Sequence, residues 1–312
     1  MSDAPPLPEI AALASGKLGR PLRIAEALRG PDFKSDVADA TCAYVMRGDA
    51  PGDAFVVVLS NPAFPDSVAR AAQKAAGAAA ALPADLSRRV LTPVLADRVG
   101  TRSFAVYPML TPVSKRRLIE KLQKMHLEGP VSGWLTAVGL ASRSKVADQA
   151  VFDARFAAPL DYLVQEESLP DFVRREAALL RDTLSDRDGR FFTVLQHGDF
   201  WLGNILLRRA RIASADFAVI DWGGSDLQGH GFIDLMRYLD STSRDPRRMM
   251  RHMRRYCAAL GVPAESLRLH VLCSLGALGL RRNKFPMPRF AANAARFTTM
   301  ASSLGEALAR GD

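Results

Sequence analysis

Apolar and polar residues alternate in two different ways along the chain. Between about residues 22 and 60 the pattern is that of strands. "DATCAYVMRG" and "DAFVVVLS" flank "RGDAPGD", whose Gly and Pro mark a hairpin turn. A short helix, "EIAALASG", precedes them after a Pro-rich start. "PDSVARAAQKAAGAAAAL" follows, and its alanines, with Asp66 or Ser67 as the cap, predict a helix. "VLTPVLAD" and "RSFAVYPML" then read as two more strands. The first 110 residues thus predict a small α+β unit.

Beyond "PMLTP" the period changes. "SKRRLIEKLQKMHLEG" has apolar residues at 118, 119, 122, 125 and 127, near helical spacing, with Gly129-Pro130 as its stop. Helical patterns recur at about 153–165 and 170–185. Three short apolar runs come next, "FFTVLQ", "NILL" and "FAVID", and the last hundred residues are again helical. The change of pattern puts a boundary between Pro108 and Pro112, dividing the chain into units of 1–110 and 111–312. A chain of 312 residues, 48% hydrophobic and 24% charged, can bury a core in each.

Polar residues interrupt the apolar runs at one place in particular. "VLQHGDFWLGNILL" (194–207) and "FAVIDWGG" (217–224) set His197, Asp199, Asn204 and Asp221 among aliphatics. Such groups are costly to bury unless they satisfy one another or hold a ligand. Phosphoryl transfer asks a protein for a group that orients and deprotonates the acceptor hydroxyl, and for oxygen ligands to the magnesium on the nucleotide phosphates. If two adjacent strand ends converge, Asp199 supplies the base while Asn204 and Asp221 hold the metal. Gly198 and Gly203 leave room in the loop between them.

"HGDFWLGNILL" followed by "VIDWGG" closely resembles the catalytic loop and metal-binding aspartate of the aminoglycoside phosphotransferase and choline kinase family. The resemblance implies an α+β, two-lobed, protein-kinase-like fold: a small N-terminal sheet lobe that binds nucleotide and a larger, mostly helical C-terminal lobe that binds the acceptor. It implies Asp199 as catalytic base, and Asn204 and Asp221 as Mg2+ ligands. It also implies His197 as the histidine packed beneath the loop, and Asp234 of "GHGFIDLMRYL" as the aspartate that braces it. ATP, with GTP as the alternative, would sit between the lobes near "FAVYPML" and donate its γ-phosphoryl group to a small-molecule hydroxyl, on a sugar or another polar metabolite. Protein kinase activity fits less well, because no APE-type segment follows "IDWGG".

The small lobe departs from the family. Ser60 stands where "VLK" would carry a phosphate-binding lysine, and the next helix has no acid to pair with one; its central polar residues are Gln73 and Lys74. The loop "RGPDFKSDVADA" has a single glycine. Lys34 or Lys74 could supply the missing cation, with Lys34 preferred. Alternatively, magnesium and backbone amides suffice. A third reading is a pseudokinase that binds nucleotide or acts as a scaffold.

The net charge of +9 favours anionic partners. "RDPRRMMRHMRRYC" lines Arg244, Arg247, Arg248, Arg251, Arg254 and Arg255 along one helix, either a solvated face or a platform for an anionic acceptor or membrane surface. "LRRNKFPMPR" adds Arg281, Arg282, Lys284 and Arg289. Nucleic acid is disfavoured, because aromatic residues are not interleaved with these cations. The remaining histidines lack zinc spacing. Trp201 either packs or lines the acceptor pocket. Three scattered cysteines, and a start with no basic or apolar signal region, suit a reducing cytoplasm. Oligomeric state leaves no mark on the sequence.

Overall fold

The computed structural model describes residues 5–30, 40–50, 52–185, 190–209, 215–243, 245–281 and 286–310. Lys34, Arg244, Arg282, Lys284 and most of the single-glycine loop lie outside the described residues.

Helix α1 (Leu7–Leu18) leads into β1 (Leu22–Arg29), β2 (Cys42–Gly48) and β3 (Ala54–Leu59). Helix α2 (Ser67–Ala80), the single turn α3 (Ala84–Ser87), β4 (Leu95–Val99) and β5 (Arg102–Pro108) follow. The five strands make an antiparallel sheet in the order β1-β2-β3-β5-β4. Side chains alternate across a pleated strand, so the sheet has two distinct faces. Tyr44, Met46, Val57, Leu59, Phe104 and Val106 pack with Ile10 and Ala14 of α1 in a core of their own. The register puts Val45, Val56, Val58, Ala105 and Tyr107 on the opposite face.

The larger part begins with β6 (Thr111–Pro112), α4 (Arg117–Ser142) and β7 (Ser144–Lys145). Helices α5 (Gln149–Phe152), α6 (Ala158–Gln165) and α7 (Asp171–Asp182) come next. The short strands β8 (Phe192–Gln196), β9 (Ile205–Leu207), β10 (Phe217–Val219) and β11 (Asp226–Gly229) carry the loops of interest. Helices α8 (Ile233–Thr242), α9 (Pro246–Leu260), α10 (Ser266–Leu280) and α11 (Met287–Arg310) finish the chain. The strands form two small sheets, β10-β9-β6 and β11-β8-β7, set into the major core. Among the described residues no helix is long and apolar enough to cross a membrane.

Three local expectations need correction. Gly129-Pro130 does not stop a helix, since α4 runs through Pro130 to Ser142. A proline inside a helix costs about 3 kcal/mol. Here the residues beyond it, Val131, Trp134, Leu135 and Val138, are buried in the major core. Each fully buried large apolar side chain contributes roughly 1.5–3 kcal/mol, so tertiary burial outweighs the local break. "VLTPVLAD" is not one strand. Val90 bridges Val219 of β10, and β4 starts only at Leu95. Pro93 between them has no N–H to give a ladder. Finally, Asp66 occupies the N-cap position of α2 but makes no side-chain capping bond, and it pairs instead with Arg98. The N–H of Ala69 donates to Ser103 Oγ of β5 at 3.2 Å, which ties the helix start to the sheet.

Candidate active site

The residues singled out in the sequence meet where β8, β9 and β10 end. β9 and β10 are antiparallel neighbours with Ile205 opposite Val219. Just past that pair, the N–H of Ile220 donates to the carbonyl of Asn204 at 3.0 Å. The loop from β8 is closed across its mouth: Asn204 Nδ2 donates to the backbone carbonyl of Asp199 at 2.8 Å. That bond fixes the side-chain amide of Asn204 and turns its Oδ1 the other way. Asp221 follows directly, exposed and in the left-handed region at φ 64. Few residues other than glycine accept that conformation, aspartate among them, and such strain concentrates at functional sites.

Beneath the loop, His197 is buried, and its Nε2 bonds the carbonyl of Ile220 at 2.9 Å, joining the segment of Asp199 to that of Asp221. Its ring packs against Trp222 and Phe200, and Trp134 of α4 stacks on Phe200. The buried Asp234, in the first turn of α8, accepts the N–H groups of His197 at 2.6 Å and Gly198 at 2.9 Å. Burial pushes its carboxyl up, against the opposing pull of His197 and those two N–H groups. Gly198 has φ 86, and a Cβ there would meet the carbonyl oxygen of Gly224 at 2.8 Å. Glycine is therefore required by conformation and by space alike.

Arg237 escaped the sequence reading. It lies one turn beyond Asp234 on α8, ion-paired with Asp199 Oδ1, while its Nη1 donates to the carbonyl of Gly198 at 3.3 Å. Its spacing, i+3 from Asp234, could have signalled a residue on the same helix face. Ser241 was also missed; its Oγ accepts the N–H of Leu202 at 3.0 Å and anchors the far side of the loop. Trp201 is about half exposed, its ring lying over Gly203.

Asp221 faces the small sheet. Tyr107 on the inner face of that sheet has its hydroxyl pushed up to about 12, first by burial and then by the charge of Asp221. Helix α2 also reaches this loop, with Lys74 Nζ donating to the carbonyl of Ser225 at 2.8 Å. Ser60 lies one residue past β3, buried, its Oγ donating to the carbonyl of Pro65 at 2.9 Å. The inner face of β3 itself offers Val56 and Val58.

A family profile described as the phosphotransferase enzyme family matches residues 2–267. The chain belongs to the phosphotransferase enzyme family. A search of curated proteins with the sequence found no match. Among solved structures, a thermostable mutant of the aminoglycoside phosphotransferase APH(4)-Ia is similar, with a TM-score of 0.53 at 16% identity over 96% of this chain and 98% of that one. The same enzyme in ternary complex with ADP and hygromycin B gives a TM-score of 0.54, again at 16% identity over 96% and 98%. A protein assigned as a fructosamine-3-kinase from Haemophilus somnus gives 0.52 at 10% identity over 95% and 96%. At these identities the likeness is one of fold. This phosphotransferase-family chain has the two-lobed, protein-kinase-like α+β architecture, with a small sheet and a larger helical part.

Arg247, Arg251, Arg254 and Arg255 of α9 are exposed, whereas Arg248 pairs with Glu128 and Asp245. Among the described residues no group of three or more His, Cys, Asp or Glu side chains is arranged to hold a metal.

Proposed function

We propose that this chain transfers the γ-phosphoryl group of ATP to a hydroxyl of a small polar metabolite such as a sugar. The observation that carries the reading is the convergence of Asp199, Asn204 and Asp221 through the Asn204–Asp199 and Ile220–Asn204 bonds. Arg237 holds one oxygen of Asp199, leaving Oδ2 to accept the proton as the acceptor oxygen bonds to the γ-phosphorus and ADP departs. His197 and Asp234 position the loop without touching substrate. The donor set fits magnesium: an amide oxygen from Asn204 and a carboxylate from Asp221 are hard oxygen ligands, and such sites need only one or two carboxylates when nucleotide phosphates supply the rest. When bound there, magnesium would supply charge neutralisation at the phosphates.

In this reading residues 1–110 hold the nucleotide against the inner face of the sheet, and residues 111–312 hold the acceptor. Lys74, already beside the loop of Asp221, or Lys34 meets the phosphate tail. The ADP and hygromycin B complex of the structural relative supports both a nucleotide and a hydroxylated acceptor for this fold. A cytoplasmic location is consistent with an ATP-dependent reaction. The test is to incubate the purified protein with Mg·ATP and a panel of hydroxylated metabolites, reading ADP and phosphorylated product together. Acceptor-dependent ADP release supports the proposal, and none with any acceptor overturns it.

One observation favours a pseudokinase that binds nucleotide without turnover. The inner face of β3 presents Val56 and Val58, and no acidic residue lies within α2. Saturable Mg·ATP binding with no transfer to any acceptor would establish that reading.

A further inference from the structure

On the strand ladder that leads into the loop of the candidate base lies a polar cluster that phosphoryl chemistry leaves unused. β11 pairs with β8 so that Asp226 sits opposite Gln196. Gln196 lies three positions before Asp199, at most about 11 Å of chain. Asp226 Oδ2 accepts hydrogen bonds from Arg155 Nη1 at 2.5 Å and from Arg281 Nη2 at 2.6 Å. The two arginines arrive from separate elements. Arg281 directly follows α10, and Arg155 sits on a π-helical turn, Asp153–Ala157, between α5 and α6. Such turns are rare and frequent at functional sites.

The charges do not cancel. One carboxylate faces two guanidinium groups. Burial opposes the ionisation of Asp226, yet Arg281, the N–H of Gln228 and Arg155 outweigh it and hold the carboxyl at about 2. The cluster therefore keeps one excess positive charge throughout the neutral range. Behind it the imidazole of His230 is buried, with burial and then the charges of His270 and Arg155 pushing it well below its usual value, so it adds no charge. A single bidentate guanidinium can satisfy a carboxylate, and here there are two. Arg281 is about half exposed, with its Nη2 on Asp226. Leu227 and Leu280, both exposed, flank the cluster along the chain.

Resting on the phosphotransfer reading, we propose that the acceptor carries an anionic group, a carboxylate or a phosphate, which Arg281 and Arg155 bind while its hydroxyl lies at Asp199. Guanidinium forks match both oxyanions in a bidentate manner. A polycationic acceptor meets repulsion at the same place. The α9 arginines stand on a different element, a helix packed against α4, α8 and α11.

The test uses four probes with one polyhydroxyl body and different charge: glucose, glucosamine, gluconate and glucose 6-phosphate. Binding to the full chain loaded with Mg·ADP is measured by calorimetry, and transfer from Mg·ATP separately. Gluconate and glucose 6-phosphate are expected to bind at least tenfold more tightly than glucose and glucosamine. Arg281→Glu should remove that preference and Arg281→Lys should retain part of it. Arg281→Glu sets a second carboxylate beside Asp226, so melting temperatures of both variants check the fold, and loading with Mg·ADP fills the nucleotide site so that anion binding is read elsewhere. Equal binding of all four probes, no binding of either anion, or an anion preference untouched by Arg281→Glu would overturn the inference. Anion binding with no transfer to these probes or to any acceptor of the hydroxylated panel leaves the cluster standing and removes the phosphotransfer reading. Transfer to glucose as readily as to gluconate does the reverse.

Discussion

The loop between β8 and β9 and the inner face of β3, which the proposed function sets on either side of the nucleotide, are built in opposite ways. In the loop nearly every polar group is answered. Asp199 meets Arg237, Asn204 meets the Asp199 carbonyl, and His197 and Gly198 meet Asp234. On β3 the inner-face positions are valines. A polar network that is fully satisfied fixes one geometry, whereas an apolar face fixes none for a phosphate. Under the proposed function, specificity then lies on the loop's side, and the loop must also contribute to holding the nucleotide.

The largest expected effect lies in the loop. Asp199→Asn should lower turnover by about 10²- to 10⁴-fold, the usual contribution of a positioned general base, with Mg·ATP binding largely kept. Near wild-type steady-state turnover would show that Asp199 is not the base. Asp221→Ala should weaken ATP binding in magnesium more than Asn204→Ala, because it removes a full charge. ATP titrations with and without EDTA decide this, and affinities indifferent to both mutation and EDTA would remove the metal from the loop.

Acid should strain the larger, helical part through His270. His270 accepts the N–H of Gly231 on Nδ1, and its Nε2 bonds the carbonyl of Arg190, an arrangement that needs the neutral ring. Burial first holds it at about 4, below the usual imidazole value near 6.5. The unfolded chain therefore binds more protons between those values, so stability is lost as pH falls from about 6.5 to about 4, by about 3 kcal/mol at most. Melting temperature against pH should show the loss, and His270→Gln should flatten it. Parallel curves for the two proteins would rule out His270 as its source.

Arg237 sharpens the comparison within the loop. It holds one oxygen of Asp199, and a hydrogen bond to a charged group contributes about 1.5–3 kcal/mol. Arg237→Gln should lower kcat about tenfold to hundredfold while leaving KM for ATP unchanged, and Arg237→Lys should recover part of the loss. A rise in KM for ATP at constant kcat would mean that Arg237 serves the nucleotide instead.

These two regions also differ in how far the sequence revealed them. His197, Asp199, Asn204 and Asp221 stood out as polar residues between short apolar runs, while Asp234 and the role of His197 came only through the resemblance to the family motif. The structure links these residues through the bonds of Asn204, His197 and Asp234. Arg237 was not, since an arginine on a helix looks like any solvated cation until the fold sets it over Asp199. Pro130 was misread because a local rule was overridden by burial of Trp134 beneath the loop. The split of "VLTPVLAD" between β10 and β4 depends on partners more than 120 residues apart along the chain, at Val90 and Val219, which no local pattern encodes.

The smallest expected effect tests whether the apolar face of β3 has a substitute. Lys34 was the preferred residue on sequence grounds, and it lies outside the described residues. Lys74 is the cation that α2 brings to the loop of Asp221, where its Nζ holds the carbonyl of Ser225. Two roles are open to that ammonium: latching α2 to the loop, or meeting the phosphates beside Asp221. Lys74→Ala removes both. Lys74→Gln keeps a donor for Ser225 while removing the charge, so it separates them. If the charge meets phosphate, both variants should weaken Mg·ATP binding about tenfold, the worth of one such charged contact, with little change in melting temperature for Lys74→Gln. If Lys74 only latches the helix, Lys74→Gln should bind ATP like the wild type and Lys74→Ala alone should melt earlier. Lys34→Ala run alongside gives the remaining arm. A tenfold loss there with none at Lys74 returns the phosphate contact to the loop between β1 and β2, and no loss at either leaves magnesium and backbone amides to hold the nucleotide tail.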